Sequence, residues 1–205
     1  MELLNFRKFL EEEHKGTLHV VDIDDTLFHT TAKVRVRNSK GIIVRYLSNS
    51  EFNTYKLKPG QKFDFKEFKN AKKFRNESKP ITPMINKMKK MHKNPKSKVI
   101  INTARADFDD KHEFLNTFRD QGVDIDKIHV HRVGNDPGDE LPADKKVKVI
   151  KTYIDKNDHK KVVMYDDSKT NLKALLNMKR EYPNVKFIAF HVKPDGSMSR
   201  YNGEK

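Results

Sequence analysis

The stretch Leu18-His19-Val20-Val21-Asp22-Ile23-Asp24-Asp25-Thr26-Leu27 runs a short apolar segment straight into three carboxylates. An apolar run of that length, bounded by polar residues, reads as a buried strand. Carboxylates crowded at its end repel one another and are poorly solvated, so they require a cation or a functional demand nearby. Asp22 and Asp24 stand two apart, which directs both to one side of an extended strand end. In open α/β sheets such carboxyl ends are where ligands bind.

Outward from there the same form recurs. Val99-Ile100-Ile101 leads into Asn102-Thr103-Ala104-Arg105, and Val162-Val163-Met164 into Tyr165-Asp166-Asp167-Ser168. Residues 127–131 and 186–191 read as two further strands. Between them lie helical patterns. Thr82-Pro83 reads as an N-cap and first-turn proline ahead of a Met84, Met88 and Met91 core stripe. Phe108–Phe118, Ala143–Ile154 and Asn171–Met178 supply the other helices. The alternation indicates one α/β domain over residues 1–205, a doubly wound, Rossmann-like parallel sheet. Residues 30–80 break the rhythm. Ala32–Arg37 and Ile42–Leu47 form a β-hairpin about an Asn38–Gly41 turn, and Asp64-Phe65-Lys66-Glu67 resembles a capping box opening a helix through Phe68, Ala71 and Phe74. This segment reads as an insertion over the carboxyl edge of the sheet.

Composition narrows the chemistry. The chain has 205 residues, 35% hydrophobic, with 13 Phe to supply much of the core. It has no Cys, which excludes disulfide frameworks, Cys-bound zinc, iron–sulfur clusters and Cys nucleophiles. No apolar run approaches the roughly 20 residues that cross a bilayer. Met1-Glu2-Leu3-Leu4 passes quickly into Lys8, Glu11, Glu12 and Glu13, unlike a signal peptide, so a cytoplasmic protein with no membrane partner is expected. The net charge of +14 points to a polyanionic partner or to a lysine-rich solubilising coat.

Paired carboxylates from two strand ends, a hydroxyl from Thr103 and an ammonium near the start of the Ala143–Ile154 helix can form a phosphate-transfer site around Mg²⁺. That ion takes few carboxylates and completes its shell with water and phosphate oxygens. Lys145, Lys146 and Lys148 compete for the ammonium. In order, Asp22/Asp24/Thr26, Thr103, the helical lysine and Asp166/Asp167 resemble the four motifs of the haloacid dehalogenase (HAD) phosphohydrolase superfamily, across about residues 17–191. That family places apolar residues four, seven and eight positions after its lysine. Lys146 meets this with Ile150, Tyr153 and Ile154; Lys148 does not, and Lys145 remains open.

The resemblance implies a phosphoric monoester hydrolase with a small hairpin–helix lid at about 30–80. Asp22 would attack phosphorus to form an aspartyl-phosphate, while Asp24 would protonate the leaving oxygen and then activate water. Mg²⁺ would be held by Asp22, the backbone carbonyl of Asp24, and Asp166 with Asp167, the latter being the better match to the coordinating position. Thr103 and Lys146 would clamp the phosphoryl oxygens. Arg105 is expected either to bind substrate phosphate or to pair with Asp107 or Asp109. Asp25 is read as a turn stabiliser, Thr26 as bonding within the motif turn, Asn171 as orienting the carboxylates, and His29 as a flap residue. The nine His residues show no metal-ligand spacing.

From Lys66 to Lys98, twelve basic residues face two acidic ones, a net of +10. The hairpin adds Lys33, Arg35, Arg37, Lys40 and Arg45. Such a field steers anionic polymers or nucleotides toward the insertion. The leading expectation is hydrolysis of a phosphomonoester on a DNA or RNA end (a 3′-phosphate) or a nucleotide. Its nearest functional analogue is the phosphatase half of phage-type polynucleotide kinase, although no GxxxxGK[ST] kinase loop is present. The alternatives are a small-metabolite phosphatase whose lysines only solubilise it, and a HAD scaffold that binds nucleic acid without turnover. The sequence leaves oligomeric state open.

Overall fold

Leu18 and Val20 of strand β1 (Thr17–Val21) face one layer of side chains, whereas Val21 and Ile23 face the other, and all four are fully buried. The computed structural model describes residues 16–203 apart from positions 53 and 139. The sequence reading of residues 1–15, and of the last two positions of the expected single domain, lies outside the described residues.

Two-sided burial places β1 in the middle of the sheet. It pairs in parallel with β7 (Ser97–Thr103) and β9 (Lys161–Asp166). Outside these, again parallel, lie β8 (His129–Arg132) and β10 (Lys186–Val192). A final strand, β11 (Met198–Tyr201), adds antiparallel to β10 and was not foreseen from the sequence. Val21, Val99, Ile101 and Val163 meet Met84, Ile85 and Met88 of helix α3 (Thr82–His92) and Phe114 and Phe118 of α4 (Lys111–Arg119). Val20, Ile100 and Met164 meet Ile150 and Ile154 of α5 (Pro142–Asn157) and Leu172 and Leu175 of α6 (Lys169–Asn177). The result is an α/β fold with a mainly parallel sheet flanked by helices, compatible with a Rossmann-like arrangement. The Met84, Met88 and Met91 stripe is buried core, as its spacing implied. Among the described residues no helix is long and apolar enough to cross a membrane.

The insertion is more broken than expected. Short strands β2 (Phe28–His29) and β6 (Lys79–Pro80) pair at its neck. The expected hairpin forms as β3 (Val34–Arg37) and β4 (Ile43–Leu47), but β5 (Lys62–Asp64) joins β3 on its other edge. A one-turn helix α1 (Asn49–Phe52) lies between β4 and β5. The single helix expected from Asp64 does not form. Asp64 ends β5, and its carboxylate accepts from the backbone of Lys66 at 2.8 Å, leaving one 3-10 turn over Lys66–Lys69. Asn70 then caps α2 (Ala71–Glu77), accepting from the Lys73 N–H at 2.7 Å. Helix α4 likewise begins three residues later than expected, because the Asp110 carboxylate caps it through the Glu113 N–H at 3.0 Å. Thr82 is the first residue of α3 and not its cap, a position taken by Ile81.

Phenylalanines join the insertion to the body. Phe28 packs edge-on against Phe74 and Phe118 at centroid distances of 5.4 and 5.2 Å, and Phe74 meets Phe108 at 5.4 Å. Val34, Val36 and Leu47 form a separate small core under the three strands, with Phe52, Tyr55, Phe63 and Phe68 against it.

Candidate active site

The Asp22 N–H donates to the Tyr165 carbonyl at 3.1 Å, carrying the β1–β9 pairing one residue beyond the strand. Asp22 keeps the alternation of Leu18 and Val20, and Asp166 keeps that of Val162 and Met164, so both carboxylates emerge on the α5 side. Lys146 lies on the apolar stripe of α5 with Ile150, Tyr153 and Ile154, and is buried by that position. Its Nζ donates to Asp22 Oδ1 at 2.7 Å and to Asp166 Oδ2 at 2.8 Å. A lysine is buried so completely only when it is paired. Lys145 turns away to the carbonyls of Asp136 and Gly138, at 2.7 and 3.0 Å, and Lys148 pairs with Glu140. Geometry therefore brings Lys146, of the three lysines, to the carboxylates.

The surrounding hydrogen bonds fix this group. Asn171 Nδ2 donates to both oxygens of Asp166, at 2.9 and 3.1 Å, and the Ser168 N–H adds a bond to Oδ1 at 2.9 Å. Asn171 thus orients a carboxylate, as expected. Thr26 bonds within the turn, its N–H donating to the Ile23 carbonyl at 3.3 Å, and also beyond it. Its Oγ1 accepts from the Asp167 N–H at 3.1 Å, tying the end of β9 to the turn after β1. Asp25 sits in the left-handed region at φ 54°, which Asp tolerates better than most residues, and its N–H donates to the Phe28 carbonyl at 2.8 Å to close the turn. His29 approaches Asp25 at 3.4 Å, at the neck of the insertion.

Asp22, Asp166 and Asp167 each offer an oxygen within 4.8 Å of the others, a set able to hold a metal ion. The carboxylate of Asp24 is not part of it, whereas the donor expected from Asp24 is its backbone carbonyl. Its Oδ1 and Oδ2 accept the fork of Arg105 at 2.6 and 2.8 Å, and Thr30 Oγ1 donates to Oδ1 at 2.8 Å. Arg105 is itself enclosed: Nη1 donates to the Phe68 carbonyl at 2.8 Å, and its guanidinium carbon stands 4.7 to 5.2 Å from the centres of Phe68, Phe74 and Phe108. It pairs with neither Asp107 nor Asp109. Asp107 faces Arg132 at 2.7 Å, and Asp109 accepts the Ala71 N–H at 2.8 Å. The sequence reading gave no role at the site to Thr30, to Phe68, which it placed only within a helix, or to Asn102, whose side chain donates to the Lys146 carbonyl at 3.0 Å.

Thr103 is fully buried at the end of β7, and its Oγ1 accepts from the Arg105 N–H at 3.3 Å. Gly134 lies so close to this loop that a Cβ would fall 2.5 Å from the Ala104 carbonyl oxygen. These strand ends open into a cleft of about 1080 Å³, with Asp22, Thr103, Lys146 and Asp167 at its floor and insertion residues Phe63, Phe65 and Lys66 on its wall.

Burial raises the Asp22 carboxyl to about 7 against the opposing pull of Lys146, and burial with the Asp166 and Asp22 charges raises Asp167 to about 9. Both stand above their ordinary value of 3.8, so over this window the folded state binds more protons than the unfolded chain and stability falls as pH rises. His19, lowered to about 4 by burial, acts oppositely, but only below its ordinary 6.5. From pH 7 to 9 the carboxylates dominate. The melting temperature in EDTA is expected to fall across that range, and Asp167→Asn to flatten the fall; thermal melts at half-unit pH steps check this.

Comparisons of the chain with protein-family models, with curated proteins and with solved structures find no match.

Proposed function

We propose that this protein is a Mg²⁺-dependent, HAD-type phosphomonoesterase that passes a phosphoryl group through Asp22, acting on a nucleotide or nucleic-acid end. The observation that carries the reading is a carboxylate, Asp22, at the floor of a cleft between a buried ammonium and two further carboxylates. Once all three carboxyls are ionised, they and the ammonium carry a local charge of −2, which a divalent cation would balance. The donors are all oxygens, which suits magnesium. Asp22, Asp166 and Asp167 would hold the ion, and when bound it would neutralise charge on the transferring phosphoryl group.

The protein's own groups do the rest. An Asp22 oxygen bonds to phosphorus as the bond to the leaving oxygen breaks, and Asp24 gives that oxygen its proton. Water then attacks phosphorus, Asp24 takes the water's proton, and the acyl–phosphate bond breaks to restore the Asp22 carboxylate. Lys146 and Thr103 donate toward the phosphoryl oxygens. Arg105, bonded to Asp24 and seated on Phe68, aims the acid–base carboxylate and ties it to the insertion, which serves as a partial lid.

Charge supports an anionic polymer or nucleotide as substrate, in a narrower way than the sequence implied. Of the twelve basic residues between Lys66 and Lys98, Lys66 and Lys69 line the cleft, joined there by Arg37 and Lys62. Lys87 instead lies over the Tyr165 ring at 5.4 Å, and Lys89 donates to the Gln121 carbonyl at 2.9 Å. Phosphate release from sugar phosphates, nucleotides and 3′-phosphorylated oligonucleotides, with Mg²⁺ or EDTA at two salt concentrations, tests the reading. Mg²⁺-dependent release is expected, best with oligonucleotides or nucleotides and weaker at high salt. Better, salt-independent turnover of sugar phosphates would mark a metabolite phosphatase. Oligonucleotide binding without release would mark a scaffold that has lost catalysis.

A further inference from the structure

Residues 62–69 read Lys62-Phe63-Asp64-Phe65-Lys66-Glu67-Phe68-Lys69, an interleaving of rings and ammonium groups of which the catalytic steps use only Phe68, as the seat of Arg105. In the fold this octet forms β5, the bend after it and the 3-10 turn, and Phe63, Phe65, Phe68, Lys62, Lys66 and Lys69 all line the cleft that holds Asp22.

Packing does not explain the whole set. Phe63 and Phe68 rest on the small core of Val34, Val36 and Leu47, but Phe65 is outside that cluster and 43% exposed. Its ring is held by neighbours at 5.5 Å from Phe52, 6.0 Å from Phe63 and 6.3 Å from Phe68. A large ring, fixed by three others yet left open to a cleft, loses apolar burial unless something covers it. Lys62, Lys66 and Lys69 are exposed beside it, and none forms an ion pair among the described residues. The adjacent acids are already engaged, Asp64 by Arg37 and Glu67 by Arg35 and Lys73. The wall therefore presents rings and uncompensated positive charge together, the combination that takes a nucleobase with its phosphodiester.

The row also has a direction. Phe65 neighbours Phe68, the Phe68 ring lies 4.8 Å from the Arg105 guanidinium carbon, and Arg105 holds Asp24 at 2.6 Å. The rings thus lead from the open wall toward the reacting carboxylates. We infer that Phe65 is a stacking platform for the nucleobase that carries, or is next to, the phosphomonoester, with Lys62, Lys66 and Lys69 receiving the backbone of a single strand. This rests on the phosphomonoesterase reading for the position of the terminal phosphate, and it adds the ligand class and the residues that recognise it.

The test separates the two claims by measuring binding in the Asp22→Asn variant, where no turnover is needed. The probes are 3′-phosphorylated single strands of one, three and six nucleotides with 2-aminopurine at the 3′ end, and a matched strand whose terminal nucleotide is abasic. Quenching of 2-aminopurine and tighter binding of the base-bearing strand are expected. Phe65→Ala and Phe65→Leu should each abolish the quenching and weaken binding roughly 5- to 150-fold, with Phe65→Trp restoring both. Leu keeps the apolar bulk, so its loss of binding is not a folding defect. Affinity rising with strand length, and reduced salt dependence in Lys62→Gln/Lys66→Gln/Lys69→Gln, assign the lysines to the strand. Equal affinity for all lengths confines the platform to a mononucleotide and overturns the strand assignment. Equal binding of abasic and base-bearing strands, or unchanged quenching in Phe65→Leu, overturns the inference even where phosphate release is intact. Stacking without phosphate release by the wild type overturns the phosphomonoesterase reading and leaves the platform standing.

Discussion

Replacing Asp22 by Asn is expected to lower Mg²⁺-dependent phosphate release by at least about 10⁴-fold, the scale on which a lost nucleophile disables an enzyme acting through a covalent intermediate. The substitution keeps the shape of the side chain and removes the charge that, in the proposed reaction, would attack phosphorus. Lys146 retains its bond to Asp166 at 2.8 Å, so the fold should survive, with an unchanged far-UV spectrum and a cooperative melt. Asp24→Asn separates the two carboxylates. It leaves the proposed nucleophile Asp22 in place and removes the group proposed to move the proton, so trapped phosphoenzyme should outlast turnover. Equal loss of labelling and turnover in both variants would deny them separate roles.

The largest effect on stability is expected at Lys146. Its ammonium is enclosed at 2% side-chain exposure and faces Asp22 and Asp166, themselves 8% and 0% exposed. Lys146→Met keeps most of the volume on the α5 stripe but leaves two carboxylates in a poorly solvated space without their cation. Removing one member of a buried ion pair costs about 3–5 kcal/mol. With a urea slope of about 1–3 kcal/mol/M, the midpoint should fall by at least about 1 M. Lys146→Met/Asp22→Asn should recover part of the loss, because one orphaned charge is gone, and a double-mutant cycle reads that coupling directly. Lys145→Met, which releases two carbonyl contacts on the loop after β8, should cost far less.

The sheet was legible because its strands announce themselves twice, by apolar runs and by the polar residues that follow them. Asp22, Thr103 and Asp166 were found on that basis, and the structure places each at a strand end beside the next. Lys146 was singled out by the apolar pattern of the family that the motifs resemble, which left Lys145 open. The structure supplies the physical reason, because a lysine on the stripe of Ile150, Tyr153 and Ile154 is buried and a buried lysine needs carboxylates. Where side chains compete for a backbone N–H, the pattern was ambiguous. Asp64 was read as the cap, yet Asn70 starts α2, because Asp64 is drawn into the pairing of β5 with β3, a contact between residues 25 apart or more. The partner of Arg105 was beyond reach in the same way. Asp107 and Asp109 are near in sequence, yet Asp24, 81 residues away, takes the guanidinium because both strand ends meet at the cleft. β11 carries one exposed hydrophobic residue, Met198, and little alternation to mark it.

The most direct measurement is acid-quench trapping with a 3′-³²P-phosphorylated oligonucleotide and Mg²⁺, followed by peptide mapping. A hydroxylamine-sensitive label on the peptide containing Asp22, formed within one turnover and absent from Asp22→Asn, is the expected result. Phosphate release at an undiminished rate in Asp22→Asn, or a label mapped to any other residue, would contradict a phosphoryl transfer through Asp22.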